Sequence, residues 1–282
     1  LERYIALERT FIVERGPRLR TILAGIDDPG VRGLVESLPP ELRAKVVTFG
    51  QSPEADFRAE EIDYSARDTR FRMVWPGGSL KLVSPLLGEF NVQNALAAIA
   101  CGTAEGLEPG RMGAALLEFG GVRGRMERLE CGQSASILID YMHTEAAYAK
   151  GLEMVRAITR GRLITVFGCG GNRDAASRPR ITALVAEKSD LAIATADNPR
   201  NEAVSDIFDD MRRGNEALPN LTYLEDRRSA IAAALEAAGP GDTVLIAGKG
   251  HETFQEFGDC VVPFDDRAVA REILHNRQWR QQ

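Results

Sequence analysis

Four polar loops carry most of the chemistry open to this sequence. They are Asp140-Tyr141-Met142-His143, Gly168-Cys169-Gly170-Gly171-Asn172-Arg173-Asp174, Asp197-Asn198-Pro199-Arg200 and Gly248-Lys249-Gly250-His251-Glu252. The glycines of the second loop let backbone N–H groups converge on an anion, and Arg173 adds a charge. A tight strand-to-helix turn is an equal reading of the same residues. In the third loop an amide and a guanidinium stand on a turn stiffened by proline. A guanidinium holds a carboxylate by two parallel bonds and an amide both donates and accepts, which suits a free amino acid. A helix-start turn with a surface arginine is the plainer reading of that tetrapeptide alone. Glu252 can hold an ammonium group or be an ordinary solvated carboxylate, and Lys249 and His251 read equally well as solvent-facing. Cys169 reads as a small buried residue, since no base adjoins it in sequence.

Each of these loops follows a short unbroken apolar run: Ile137–Ile139, Leu163–Phe167, Leu191–Thr195 and Thr243–Ala247, with a further run at Leu221–Leu224. Between them lie helical patterns, such as Tyr148, Leu152, Val155 and Ile158. Strands without polar alternation, separated by helices, predict a parallel sheet covered on both faces. Ligands bind beyond the carboxyl ends of such strands, where all four loops fall. Residues from about 125 onward therefore read as a doubly wound α/β domain. Gly120, Gly121 and Gly124 predict a hinge before it. Upstream the pattern is mixed. A helix is expected over residues 1–15, strands at Thr21–Ile26 and Val46–Phe49, and a helix start at Asp27-Asp28-Pro29. Thr69–Trp75 and Ser79–Val83 read as a hairpin about Pro76-Gly77-Gly78. Helices are expected at Asn91–Ala104 and Pro109–Phe119.

The formal charge of −6 over 282 residues argues against a broad nucleic-acid-binding face. The four cysteines are scattered without a C-x-x-C pair and the three histidines lack H-E-x-x-H spacing, so neither gives a metal signature. Scattered cysteines fit a reducing cytoplasm. No apolar run nears the ~18 residues of a membrane helix. No signal peptide is expected at the opening, and a first residue other than Met predicts a truncated or processed chain. A dinucleotide site is a weak reading, because the second loop is not G-x-G-x-x-G.

Taken together, the motifs resemble those of the Mur ligase family, closest to the branch that adds the third amino acid of the peptidoglycan stem peptide. Seven blocks occur in the family's order: Gly88–Ala95, Gly124–Arg128, Asp140–Thr144, Val166–Asp174 with Arg178-Pro179, Asp197–Arg200, Ile246–Glu252 and Phe264–Asp266. The resemblance implies residues 1–122 as the C-terminal part of a central ATPase domain and 123–282 as a Rossmann-like amino-acid-binding domain. It implies ATP-dependent amide ligation with Mg²⁺, joining meso-diaminopimelate to UDP-MurNAc-L-Ala-D-Glu through an acyl phosphate. Asn94 would face adenine, and Arg125 and Asp140 would lie near the ribose. Arg178, Asp197, Asn198, Arg200, Gly248 and Glu252 would hold the amino acid. Glu8 and His143 belong to the implied catalytic set, with Glu8 also a magnesium ligand. In the family D-N-P-R accompanies diaminopimelate. A cytoplasmic monomer acting on small molecules, with no nucleic-acid or membrane partner, is expected.

Three departures from the family pattern stand out. The sequence contains no G-x-x-x-x-G-K-[ST] phosphate loop. Glu8 stands where the family has a carbamylated lysine. His143-Thr144-Glu145-Ala146 replaces H-T-P-D. The chain alone is therefore expected to be inactive, and a non-catalytic homologue serving as a binding or regulatory module is the alternative reading.

Overall fold

The computed structural model describes residues 2–280. The chain divides between Gly120 and Gly121 into two compact units.

The first unit runs α1 (Glu2–Arg15), a 3-10 turn (Gly16–Arg18), β1 (Ile22–Gly25), α2 (Pro29–Glu36), α3 (Pro40–Arg43), β2 (Val46–Gly50), β3 (Phe57–Tyr64), β4 (Thr69–Trp75), β5 (Gly78–Ser84), α4 (Glu89–Ala104) and α5 (Pro109–Glu118). Asp28 starts α2 by accepting the Gly30 and Val31 N–H groups, with Pro29 in the first turn where no donor is needed. The sheet follows chain order. β1, β2 and β3 are parallel, and β4 and β5 continue antiparallel. Phe57, Phe71, Met73 and Leu82 on the sheet bury against Val92, Leu96 and Ile99 of α4. Each such side chain contributes roughly 1.5–3 kcal/mol by leaving water. The β4–β5 hairpin falls where the alternation predicts it. β3 is an addition to that expectation, bulged between Glu60 and Asp63 with Glu61 at φ 52°.

The second unit runs β6 (Glu127–Arg128), β7 (Ser136–Asp140), α6 (Glu145–Ile158), β8 (Leu163–Phe167), α7 (Ser177–Lys188), β9 (Leu191–Ala194), α8 (Val204–Arg212), β10 (Leu221–Tyr223), α9 (Arg227–Ala237), β11 (Thr243–Ala247), β12 (Phe254–Phe257), β13 (Cys260–Pro263) and α10 (Asp266–Arg280). Its sheet has the order β10-β9-β8-β11-β7-β6 and is parallel except for β6. From β8 the chain steps outward to β9 and β10, then returns to set β11 between β8 and β7. One sheet face packs Ile139, Ile164, Val166 and Ile246 against Ala230, Ile231, Leu235 and Leu274 of α9 and α10. On the other, Tyr148 of α6 meets the Phe167 ring edge-on. No helix of the described residues is long and apolar enough to cross a membrane.

Candidate functional site

The order β9-β8-β11-β7 places the four polar loops side by side at the carboxyl ends of adjacent strands. They enclose a cavity of ≈ 370 Å³ together with the start of α7. The loops are joined backbone to backbone. Gly171 N–H donates to the Asn198 carbonyl at 2.9 Å, and a Cβ on Gly171 would stand 1.7 Å from the Pro199 carbonyl oxygen. The β12–β13 hairpin braces the same turn. Gln255 Nε2 donates to the Ala196 and Asp197 carbonyls, Arg200 N–H to Glu256 O and Gly258 N–H to Arg200 O. Arg200 is thereby held at φ 53°, in the left-handed region.

The cavity lining includes acidic groups. Asp197 and Glu252 both belong to it. Gly248 makes room for the first, since a Cβ there would lie 2.4 Å from Asp197 Oδ2. Burial pushes the Asp197 carboxyl up, with the Arg227 and Lys249 cations opposing that push. Arg227 itself is enclosed, its guanidinium on the Asp266 carboxylate at 2.7 and 2.8 Å and on the Ala247 carbonyl. Arg227 Nη1 and the Tyr148 hydroxyl have no hydrogen-bond partner among the described residues. Lys249 is fully buried rather than solvent-facing. Its ammonium donates to Asn198 Oδ1 at 2.8 Å and Glu252 Oε2 at 2.9 Å, which compensates the cost of leaving water. Asn198, 2% exposed, gives its amide Nδ2 to Glu252 Oε2.

The lining also holds four arginines, and they are not equivalent. Arg178, expected to hold the amino acid, is 2% exposed and already committed. Nη1 meets Glu202 and Asp210, and Nη2 meets Glu202 and the Gly170 carbonyl. Its two Nη groups brace the loop, while Nε has no hydrogen-bond partner among the described residues. Arg180 pairs with Glu145. Arg200 pairs with Glu256, not with the neighbouring Glu202, and donates Nη1 to the Gly171 carbonyl. Arg173 lines the cavity, is exposed, and makes no ion pair or hydrogen bond among the described residues. Arg173, an anion-binding candidate by its loop, is thus the cavity arginine with its guanidinium open to a ligand. Cys169 lines the cavity as a buried thiol pushed up to about 12 by burial, so it is not a nucleophile at neutral pH.

Tyr141 and His143 form the remaining wall. His143 Nδ1 lies 2.9 Å from the Tyr141 carbonyl, which can only accept, so Nδ1 carries a proton and Nε2 is the acceptor of the neutral ring. The Tyr141 ring is packed by the His143 and His251 rings, with centroids at 4.8 and 4.7 Å, and by the Arg125 guanidinium at 5.0 Å.

Residues 1–102 match the Mur ligase middle domain, and residues 124–250 match the Mur ligase glutamate ligase domain. The chain belongs to the Mur ligase family. The UDP-N-acetylmuramoyl-L-alanyl-D-glutamate–2,6-diaminopimelate ligase of Thermosynechococcus vestitus is 43% identical over 279 residues, covering 98% of this chain and 55% of that relative. The protein of the same description from Synechocystis is 39% identical over 277 residues, covering 97% and 54%. A solved structure of a UDP-N-acetylmuramoyl-L-alanyl-D-glutamate–2,6-diaminopimelate ligase superposes with a TM-score of 0.71 at 31% identity, covering 98% of this chain and 57% of the other. The chain thus spans about half the length of the relatives it matches.

Mur ligases are ATP-dependent, and the residues expected at the nucleotide fall in both units. Asn94 is exposed on α4, donating to Asn91 Oδ1 at 3.3 Å. Asp140, at the end of β7, accepts the Met126 N–H at 2.8 Å; burial raises its carboxyl, opposed by the Met126 and Met142 N–H groups and by Arg125. Glu8 lies on α1, where its carboxylate raises the Tyr4 phenol. Among the described residues no group of three His, Cys, Asp or Glu side chains converges as a metal site.

Proposed function

We propose that this chain supplies the amino-acid pocket of a cytoplasmic Mur ligase that joins meso-diaminopimelate to UDP-MurNAc-L-Ala-D-Glu in peptidoglycan precursor synthesis. The observation that carries this reading is the polarity of the cavity. The lining brings unpaired Arg173 and braced Arg200 together with Glu252 and Asp197, so it offers cations for carboxylates and carboxylates for ammonium groups. Diaminopimelate is lysine with a second carboxylate, so a pocket that prefers it must reward that group. Arg200 is aimed by the Glu256 pair and the Gly171 carbonyl, and a guanidinium suits a two-pronged carboxylate contact. Glu252 suits the distal ammonium. Attack requires the incoming amine to lose a proton, and His143 Nε2 is an acceptor on the cavity wall. ATP, held with Mg²⁺ by the complete enzyme, supplies the activation of the acceptor carboxylate; here Asn94, Arg125 and Asp140 would meet its base and ribose.

The test is calorimetry of the chain with meso-diaminopimelate and with lysine, for wild type and Arg200→Ala. Loss of one charged partner in a desolvated pocket costs about 2–5 kcal/mol, a factor of roughly 30 to several thousand in affinity. The expected preference for diaminopimelate should shrink toward none in the variant. Equal binding of both ligands by wild type would contradict the reading.

A further inference from the structure

We propose that Lys249, which lies behind the pocket wall, is the positioning residue that aims Glu252 at the distal ammonium of the amino acid, with Asn198 as the intermediate part of the same clamp. The proposal rests on the amino-acid reading of the cavity and deepens it.

The hydrogen bonds determine the arrangement. Asn198 Oδ1 receives two donors, Lys249 Nζ at 2.8 Å and the Glu256 N–H at 3.2 Å. Two donors require an acceptor, so the amide has one orientation and Nδ2 must turn the other way. There it donates to Glu252 Oε2 at 2.8 Å, and Lys249 Nζ reaches the same oxygen at 2.9 Å. One carboxylate oxygen is therefore fixed by two donors. Glu252 Oε1 makes no hydrogen bond among the described residues, on a side chain that is 17% exposed and lines the cavity. Lys249 is 0% exposed, with its ammonium 5.6 Å from the Phe254 ring centroid, so it cannot itself meet a ligand from that position. Asn198 Oδ1 and one Nδ2 N–H are engaged within the clamp, which gives Asn198 a part in aiming Glu252 beside any direct contact with the amino acid.

The arrangement also explains why a lysine stands in the G-K-G-H-E loop. A carboxylate fixed at one oxygen presents the other in a defined direction, and preorganisation of this kind makes recognition selective.

The experiment compares meso-diaminopimelate with 2-aminopimelate, which lacks the distal amino group, by calorimetry on the full chain. Wild type should prefer diaminopimelate by about tenfold or more. Lys249→Met should bring that ratio toward one while leaving the affinity for 2-aminopimelate unchanged. Glu252→Gln should do the same. Removing one member of a buried pair can impair folding, so the charge-neutral double variant Lys249→Met/Glu252→Gln is made as well. It should match Glu252→Gln for both ligands, since the lysine acts only through the glutamate. An unchanged ratio in Lys249→Met, an equal loss of both ligands, or a further loss in the double variant overturns the clamp and leaves the pocket reading standing. Wild type binding neither ligand overturns the pocket reading and the clamp with it.

Discussion

Arg178 and Glu202 meet in a two-pronged pair, Nη1 at 2.8 Å from Oε2 and Nη2 at 2.9 Å from Oε1. Glu202 also accepts the Asn172 N–H, and Asp210 takes Arg178 Nη1 at 2.9 Å. The pair ties the start of α7 to the segment after β9. Arg178→Ala should lower the stability of the second unit by about 2–4 kcal/mol, the scale of lost charged hydrogen bonds on a buried side chain. Chemical denaturation measures it. Ligand affinity of the folded fraction should change by less than about threefold, well under 1 kcal/mol, if bracing is its main part; a large specific loss would show direct binding by Arg178.

The same pair sets a pH dependence. The hydrogen bond from Arg178 and then the Asn172 N–H hold the Glu202 carboxyl below its ordinary value. A depressed carboxylate contributes stability above its unfolded pKa and loses it as pH falls through the folded one. Melting temperature should therefore drop on acidification below the usual glutamate range, and Glu202→Gln should flatten that drop. Parallel profiles for wild type and variant would count against the linkage.

Arg173 is predicted to behave in the opposite way to Arg178. Exposed and unpaired among the described residues, it contributes little to the folded state. Arg173→Ala should leave the denaturation midpoint nearly unmoved and weaken meso-diaminopimelate binding by about tenfold or more, a charged contact being worth roughly 1.5–3 kcal/mol. Titration calorimetry decides this, and unchanged affinity would remove Arg173 from the pocket's working set.

Asp197 should show a conflict between stability and binding. Its carboxyl is pushed up by burial, against Arg227 and Lys249. A raised folded pKa favours the folded state at low pH, and the advantage is lost as pH rises through that pKa. Asp197→Asn should therefore melt at or above the wild-type temperature at neutral pH while losing affinity for the amino acid. A lower melting temperature at pH 7 would show that the charge is fully compensated.

Thiol labelling should separate the cysteines. Cys101 and Cys260 are exposed, whereas Cys169 is buried with its thiol pushed up to about 12. At pH 8 iodoacetamide should modify the first two and spare Cys169, as read by peptide mass spectrometry. Rapid labelling of Cys169 would mean that the cavity admits solvent to the sulfur.

The parallel sheet was legible because its strands are short apolar runs buried on both faces, as at Leu163–Phe167. The loops were legible because they follow those runs. β3 was harder, because Phe57–Tyr64 carries Glu60, Glu61 and Asp63 across a bulge that breaks the alternation. The β12–β13 hairpin escaped notice although Gly258-Asp259 sits between its strands; its bracing bonds run to residues 196–200 and are visible only in three dimensions. Side-chain commitments were illegible for the same reason. Arg178 finds its partners 24 and 32 residues downstream, and Lys249 finds Asn198 51 residues upstream. Residue type showed what each could do but not which partner had already claimed it.

The contact between Gly171 and the Pro199 carbonyl makes the two loop walls a single rigid piece. Lengthening either loop, or adding even one methyl group at Gly171, would force both apart and unseat the hairpin behind them. A scaffold of this kind can be retailored by exchanging side chains, but it cannot be stretched. Changes to the cavity lining are therefore better made at the side chains of Arg173, Arg200 and Glu252, with the loop lengths left untouched.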